Sequence, residues 1–65
     1  MTDDEILDQW RQAELAHGQA QVTGLDLLEA FIAKVAAEDA AIERFGLGPH
    51  QEAYRARFPD VEAQR

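Results

Sequence analysis

Between Leu25 and Phe45 large apolar residues recur at helical spacing and then stop at Gly46, and no other feature narrows the fold so far. Leu28, Phe31, Val35, Ile42 and Phe45 follow a heptad seam, widened by Leu27 and Ile32. That periodicity belongs to an amphipathic helix. Thr23 reads as its N-cap with Asp26 at the third helical position, and Val22 and Leu27 have the spacing of a hydrophobic staple. Gly46 suits the position just past the end, and Ile42 with Leu47 has the spacing of the apolar contact in a Schellman ending. The pattern predicts a helix over about 24–45.

Two shorter helices flank it. Thr2-Asp3-Asp4-Glu5 is a capping box, and Asp3 and Asp4 place negative charge in the first turn, where the helix dipole favours it. Ile6, Trp10, Ala13, His17 and Ala20 then form one stripe. Gly18 is the expected stop, giving a helix over about 3–18 that can run on to Ala20. Gly48-Pro49 breaks the chain again, and Pro49 suits the first turn of a third helix over about 49–58, with Tyr54 and Phe58 on one face. Pro59 ends it; residues 60–65 are expected to fray, with Val61 able to extend the Tyr54/Phe58 face.

The expected architecture is all-α, a single domain over 1–65, with the first two helices as an antiparallel hairpin joined by a short link at Gly18–Val22. At ~1.5 Å per residue the first helix is ~22 Å long and the second ~33 Å, so the first falls short of covering the second. Trp10 should then lie level with Phe31–Val35, and the third helix should fold back over Ile42 and Phe45. A chain of 65 residues without cysteine has no disulfide to help it, and at this size only ~60% of the unfolded surface is buried. Two or three thin helices cannot surround Leu25, Leu27, Leu28, Phe31, Ile32 and Val35. A two-fold dimer closing a four-helix-type bundle is the expected remedy.

Charge is unevenly placed. Of the net −7, residues 1–43 hold ten acids and two bases, while residues 44–65 hold three acids and four bases. Arg44, Arg55 and Arg57 with Tyr54 and Phe58 could touch phosphates and stack on bases, but the acidic hairpin would repel a polyanion, so no nucleic-acid partner is expected. No run approaches a membrane span, and the acidic first residues do not resemble a secretory signal, so no membrane partner and a cytoplasmic location are expected.

Catalytic signatures are missing. The chain has neither serine nor cysteine, and its two threonines, Thr2 and Thr23, are better used as caps. That removes nucleophilic catalysis of the triad kind. Gly46 and Gly48 are followed by no lysine, so they make no phosphate loop. Residues 23–29 are similar to the carrier-protein helix that bears a phosphopantetheine arm, but the serine that would carry the arm is missing. Glu14-x-x-His17 has the spacing of a carboxylate–histidine metal pair and is the one metal candidate; a cationic His17 near a helix C-terminus explains it equally. His50 reads as a solvated residue early in the third helix. The chain is expected to be no enzyme and to need no cofactor.

What remains is an acidic protein–protein interaction module acting through an amphipathic helix face, whose partner is another protein. Trp10, Phe31, Val35 and Ile42 are the expected packing residues, with Glu38 and Asp39 supplying charge. Glu38 falls where the seam calls for an apolar residue. Either the seam shifts and both acids are solvated, or the carboxylate is buried or partner-facing and needs a cation or a hydrogen-bond donor. The alternative function is a structural homodimer that consumes the same stripe with its own copy, and a metal-binding bundle is a further one.

Overall fold

The computed structural model describes residues 1–60, and within them the chain forms three helices: α1 (Asp3–Thr23), α2 (Leu27–Phe45) and α3 (Pro49–Arg57). α1 and α2 pack as an antiparallel hairpin and α3 closes one end of it. The expected fraying beyond Asp60 and the packing of Val61 fall on residues 61–65, outside the described residues. Asp60 itself pairs with Arg11 at 2.7 Å.

α1 starts as the sequence predicts. Thr2 Oγ1 accepts from the Glu5 N–H at 3.2 Å, and the Glu5 carboxylate accepts from the Thr2 N–H at 3.3 Å, completing the capping box. Its end differs. The helix runs through Gly18 and stops at Gly24, whose φ of 75° is left-handed and whose N–H donates to Ala20 O at 2.7 Å. A glycine inside a helix costs only ~1 kcal/mol, whereas a left-handed terminus calls for glycine. Gly24 therefore terminates α1 rather than opening α2.

The reassigned glycine also moves the start of α2. Thr23 is the last residue of α1, and its Oγ1 accepts from the Leu25 N–H inside the turn at 3.2 Å. Asp26 takes the N-cap position at φ 55° without a side-chain cap bond. Asp is among the few residues that tolerate this left-handed region. Val22 and Leu27 form no buried staple, being 88% and 43% exposed. At the other end Gly46 donates to Ile42 O, but its φ of 97° and ψ of 154° lie outside the left-handed helical region, and Leu47 is 80% exposed, so no Schellman contact forms.

Five more residues on α1 change the register of the hairpin. α1 is now ~31 Å long against ~28 Å for α2, so neither helix outruns the other. Asp3 meets Arg44 at 2.7 Å, and the His17 ring lies 5.8 Å from the Phe31 ring. Trp10 accordingly lies beside Ala37 and Ala41, not level with Phe31–Val35.

The helix faces differ as well. α2 turns its small residues inward: Ala41 is fully buried, and Ala30 and Ala37 are half-buried. Ile6, Leu7 and Trp10 of α1 and Tyr54 of α3 form the core around Ala41, with Phe45, Ala53 and Phe58 at its margin. Large residues from two helices need small ones opposite them to reach interior packing density. Over its first half the heptad seam points away from α1, leaving exposed the stripe that two or three thin helices were not expected to surround.

Arginines tie the closed end together. Arg57 pairs with Asp8 at 2.7 Å and with Asp4 at 3.2 Å, and its guanidinium also lies 5.8 Å from the Phe58 ring. That contact holds the Asp8 carboxyl below its ordinary range, chiefly through the hydrogen bond from Arg57. The Arg11 guanidinium also lies over the Phe58 ring, 5.2 Å from its centroid. Tyr54 is buried, and burial raises its phenol above the usual range, with the neighbouring Arg11 offsetting part of the rise.

Candidate interaction surface

α3 spans only the half of the hairpin that holds the α1 N-terminus and the α2 C-terminus. The other half, around the Gly24–Asp26 turn, has α1 on one side of α2 and, among the described residues, nothing across its outer face. Leu25, Leu28 and Ile32 are 72%, 71% and 58% exposed, and Leu27, Phe31 and Val35 are exposed less deeply, at 43%, 48% and 39%. Leu28, Ile32 and Val35 follow one another at intervals of four and three residues, so they form one line along the helix. At ~1.5 Å per residue that line is ~10 Å long, and the next residue along it is Asp39, ~16 Å from Leu28. Glu43 continues it one turn further, and both acids are exposed.

Beside this line a shallow open groove of about 590 Å³ separates α2 from the C-terminal half of α1, lined by His17, Gln21, Leu27, Leu28 and Phe31. The Phe31 ring lines it, with the His17 ring 5.8 Å away and Lys34 Nζ 6.0 Å from the ring centroid. Contiguous apolar surface of this kind on a small chain marks a binding face more often than an accident of folding.

The structure separates the residues predicted to form the site. Phe31 and Val35 lie on the bare face, and Asp39 ends its line. Ile42 is half-buried further along α2. Trp10 is only 5% exposed and belongs to the core, so it is withdrawn from any docking surface. Glu38 turns inward, with Oε2 3.5 Å from His50 Nε2. Leu25, Leu28 and Ile32, more exposed than Phe31 or Val35, are the larger part of the surface.

No known relative helps to read it. No family model, curated protein or solved structure matches this chain. The reading rests on the residues alone.

His50 is the largest departure from expectation. It is 1% exposed, with its ring stacked 5.5 Å from that of Trp10 at an interplanar angle of 19°. Nδ1 lies 3.1 Å from the Gly48 N–H, which would donate to it, and 3.2 Å from the Gly46 carbonyl oxygen, to which it would donate; the tautomer decides which bond forms. Nε2 lies 3.5 Å from the Glu38 carboxylate, outside hydrogen-bond geometry, and has no hydrogen-bond partner among the described residues. His50 is a lid on Trp10, placed there because Pro49 starts α3 directly over the core. Nothing in the sequence around His50 marks this role.

The two candidate metal residues are otherwise engaged. Glu14 Oε1 accepts from Trp10 Nε1 at 3.0 Å, and His17 packs on Phe31. Among the described residues no three His, Cys, Asp or Glu side chains converge as a metal site would need. Nor is any described helix long and apolar enough to cross a membrane. Of the residues that could contact a polyanion, Arg44 and Arg57 pair with acids of α1, Tyr54 is buried, and the Arg11 and Arg57 guanidiniums lie over the Phe58 ring.

Proposed function

We propose that this chain is a small acidic protein–protein interaction module, not an enzyme, and that it engages its partner through the bare face of α2 around Leu28, Ile32 and Val35. The observation that carries the reading is the contrast between the two halves of one helix. The C-terminal half of α2 is covered by both α1 and α3, while the N-terminal half leaves its largest apolar residues in water. Full burial is worth ~1.5–3 kcal/mol for a residue of this kind, and each of these would gain the share that its present exposure leaves. A chain that hides alanines and exposes leucines has surface to give to another molecule.

The test compares the native chain with Ile32→Asp, a change on the outer face that leaves the core untouched. A partner protein recovered with the native chain and lost with Ile32→Asp, at equal helical content, supports the module. Recovery undiminished by the substitution would remove this face from the function. The second reading, a homodimer built on the same face, is favoured by the same exposed line. Light scattering over a hundredfold concentration range separates the two, since a dimer that Ile32→Asp dissociates identifies the partner as a second copy.

A further inference from the structure

Resting on that reading, we infer that the partner is a cationic amphipathic helix, laid along α2 with apolar side chains over Leu28, Ile32 and Val35 and with its positive charges meeting Asp39 and Glu43. Three observations on this face point the same way.

The first is the charge left at the bare half. From Gln12 to Ala40 the chain has five acids and a single base, Lys34; Glu14 accepts from Trp10 and Glu38 turns towards His50, which leaves Asp26, Glu29 and Asp39. Lys34 is half-buried against the Phe31 ring, on the α1 side of the apolar line. The four arginines among the described residues all lie outside this stretch, and Arg11, Arg44 and Arg57 pair with Asp60, Asp3, Asp4 and Asp8 at the closed end. The bare face therefore keeps an acidic rim that nothing within the described residues neutralises.

The second is where the rim charges sit. Asp39 and Glu43 continue the line that Leu28, Ile32 and Val35 begin, so apolar and acidic recognition share one axis. A helix packed along that axis meets oil first and carboxylates about three turns after Leu28. Such a partner needs apolar residues at i, i+4 and i+7, or their mirror, and basic residues beyond one end of that set. The end of α2 that receives its charges is thereby set as well. The positive end of the α2 dipole at Leu27 disfavours cations there, which leaves the Asp39 end for them.

The third concerns the competing occupant. A second copy of this chain would bring the same acids to the same rim, opposing like charges where an isologous contact closes. The apolar line would be satisfied but the rim would not. A cationic helix satisfies both.

The test uses three synthetic 14-residue peptides with leucine at the helical i, i+3/i+4 and i+7 positions and the remaining positions filled by lysine, glutamine or glutamate. Each is fluorescently labelled and titrated with the native chain, followed by anisotropy at 50 and 300 mM salt. The lysine peptide should bind at least tenfold more tightly than the glutamine peptide, lose much of that advantage at 300 mM salt, and leave the glutamate peptide without measurable binding. Ile32→Asp should abolish binding of the lysine peptide even though it adds an acid. An attraction that is merely electrostatic would grow with that substitution, so an undiminished affinity overturns the proposal. Asp39→Lys with Glu43→Lys should bring the lysine peptide down towards the glutamine one.

Equal affinity for lysine and glutamine peptides, both lost in Ile32→Asp, overturns the cationic partner while leaving the interaction module standing. A dimer through this face that excludes every peptide overturns it in favour of a second copy. No binding by any peptide to a monomer overturns both the cationic helix and the docking role of this face.

Discussion

The claim that α2 turns its alanines inward and its large residues outward is tested by paired substitutions, Ala41→Leu and Leu28→Ala. Ala41 is fully buried among Ile6, Leu7, Trp10 and Tyr54. Adding three heavy atoms there forces side chains off their rotamers or wedges α1 and α2 apart, costing ~1–3 kcal/mol. Leu28 is 71% exposed, so truncation forfeits about three-tenths of a buried leucine's ~1.5–3 kcal/mol, or roughly 0.4–0.9 kcal/mol. Alanine's better helix propensity returns a little of that. For a 65-residue chain with a total stability of ~3–10 kcal/mol, the first loss is severe and the second minor.

The heptad seam taken as the packing face makes the opposite forecast. A buried Leu28 would cost ~2–5 kcal/mol when cut to alanine, and a surface Ala41 would accept leucine almost freely. Urea unfolding followed by circular dichroism and by the fluorescence of Trp10, the chain's only tryptophan, discriminates the two. With a urea slope near ~1 kcal/mol/M for so small a domain, Ala41→Leu should lower the midpoint by ~1–3 M and Leu28→Ala by less than ~1 M. The measurement belongs at low protein concentration, where no self-association can bury Leu28. A larger shift for Leu28→Ala than for Ala41→Leu would refute the packing described here.

Three further outcomes are expected. Gly18→Ala should stabilise the chain by up to ~1 kcal/mol, because a methyl at Gly18 meets nothing within 4 Å, whereas Gly24→Ala should destabilise it by ~1–2 kcal/mol, since Gly24 sits at φ 75°; thermal melts giving the reverse order would place the end of α1 at Gly18. Tyr54, the only tyrosine, should ionise at higher pH in the native chain than in urea, as read by absorbance at 295 nm. Its folded value is raised, so its contribution to stability is intact below the unfolded phenol range and is lost as pH rises through the folded value; equal titrations would mean that the phenol is not buried. Asp8, held below the ordinary carboxylate range by Arg57, contributes stability above that range and loses it as pH falls through the folded value. Asp8→Asn should therefore show a smaller drop in urea midpoint between neutral and strongly acidic pH than the native chain, and an equal drop would dissociate Asp8 from acid unfolding.

Helical class, the number of helices and the start of α1 were legible because local chemistry decides them. The Thr2–Glu5 capping box and Pro49 at the head of α3 act within a turn and do not depend on what packs nearby. The hairpin turn was harder. Gly18 and Gly24 can each end a helix, and the left-handed terminus falls at Gly24 while Gly18 stays helical. The sequence pattern around each glycine does not say which of them takes the left-handed conformation. The same ambiguity hides in α2, where Ala30, Lys34, Ala37 and Ala41 recur at the same spacing as the leucine seam. Periodicity reports that a helix has two faces without saying which one the hairpin uses. His50 was unreadable for a third reason, since its burial follows from α3 folding back onto α1, a contact between residues about forty positions apart.

The two halves of the hairpin thus solve opposite problems with the same helices. At the closed end, Asp3, Asp4 and Asp8 would repel one another in the first turns of α1, and Arg44 and Arg57 arrive from later in the chain to neutralise them. Exposed pairs of this kind are worth little singly. Here they accompany an aromatic cluster of Trp10, His50, Tyr54 and Phe58 packed with the buried Ile6, Leu7 and Ala41. With stability concentrated there, the turn end is free to keep leucines and carboxylates exposed together. Ile32→Asp should therefore disturb recognition far more than folding, and Trp10→Ala should do the reverse, unfolding the chain through a loss of ~3–5 kcal/mol at a side chain only 5% exposed. If both substitutions unfolded the chain equally, the bare face would be part of the fold and the case for a docking surface would end.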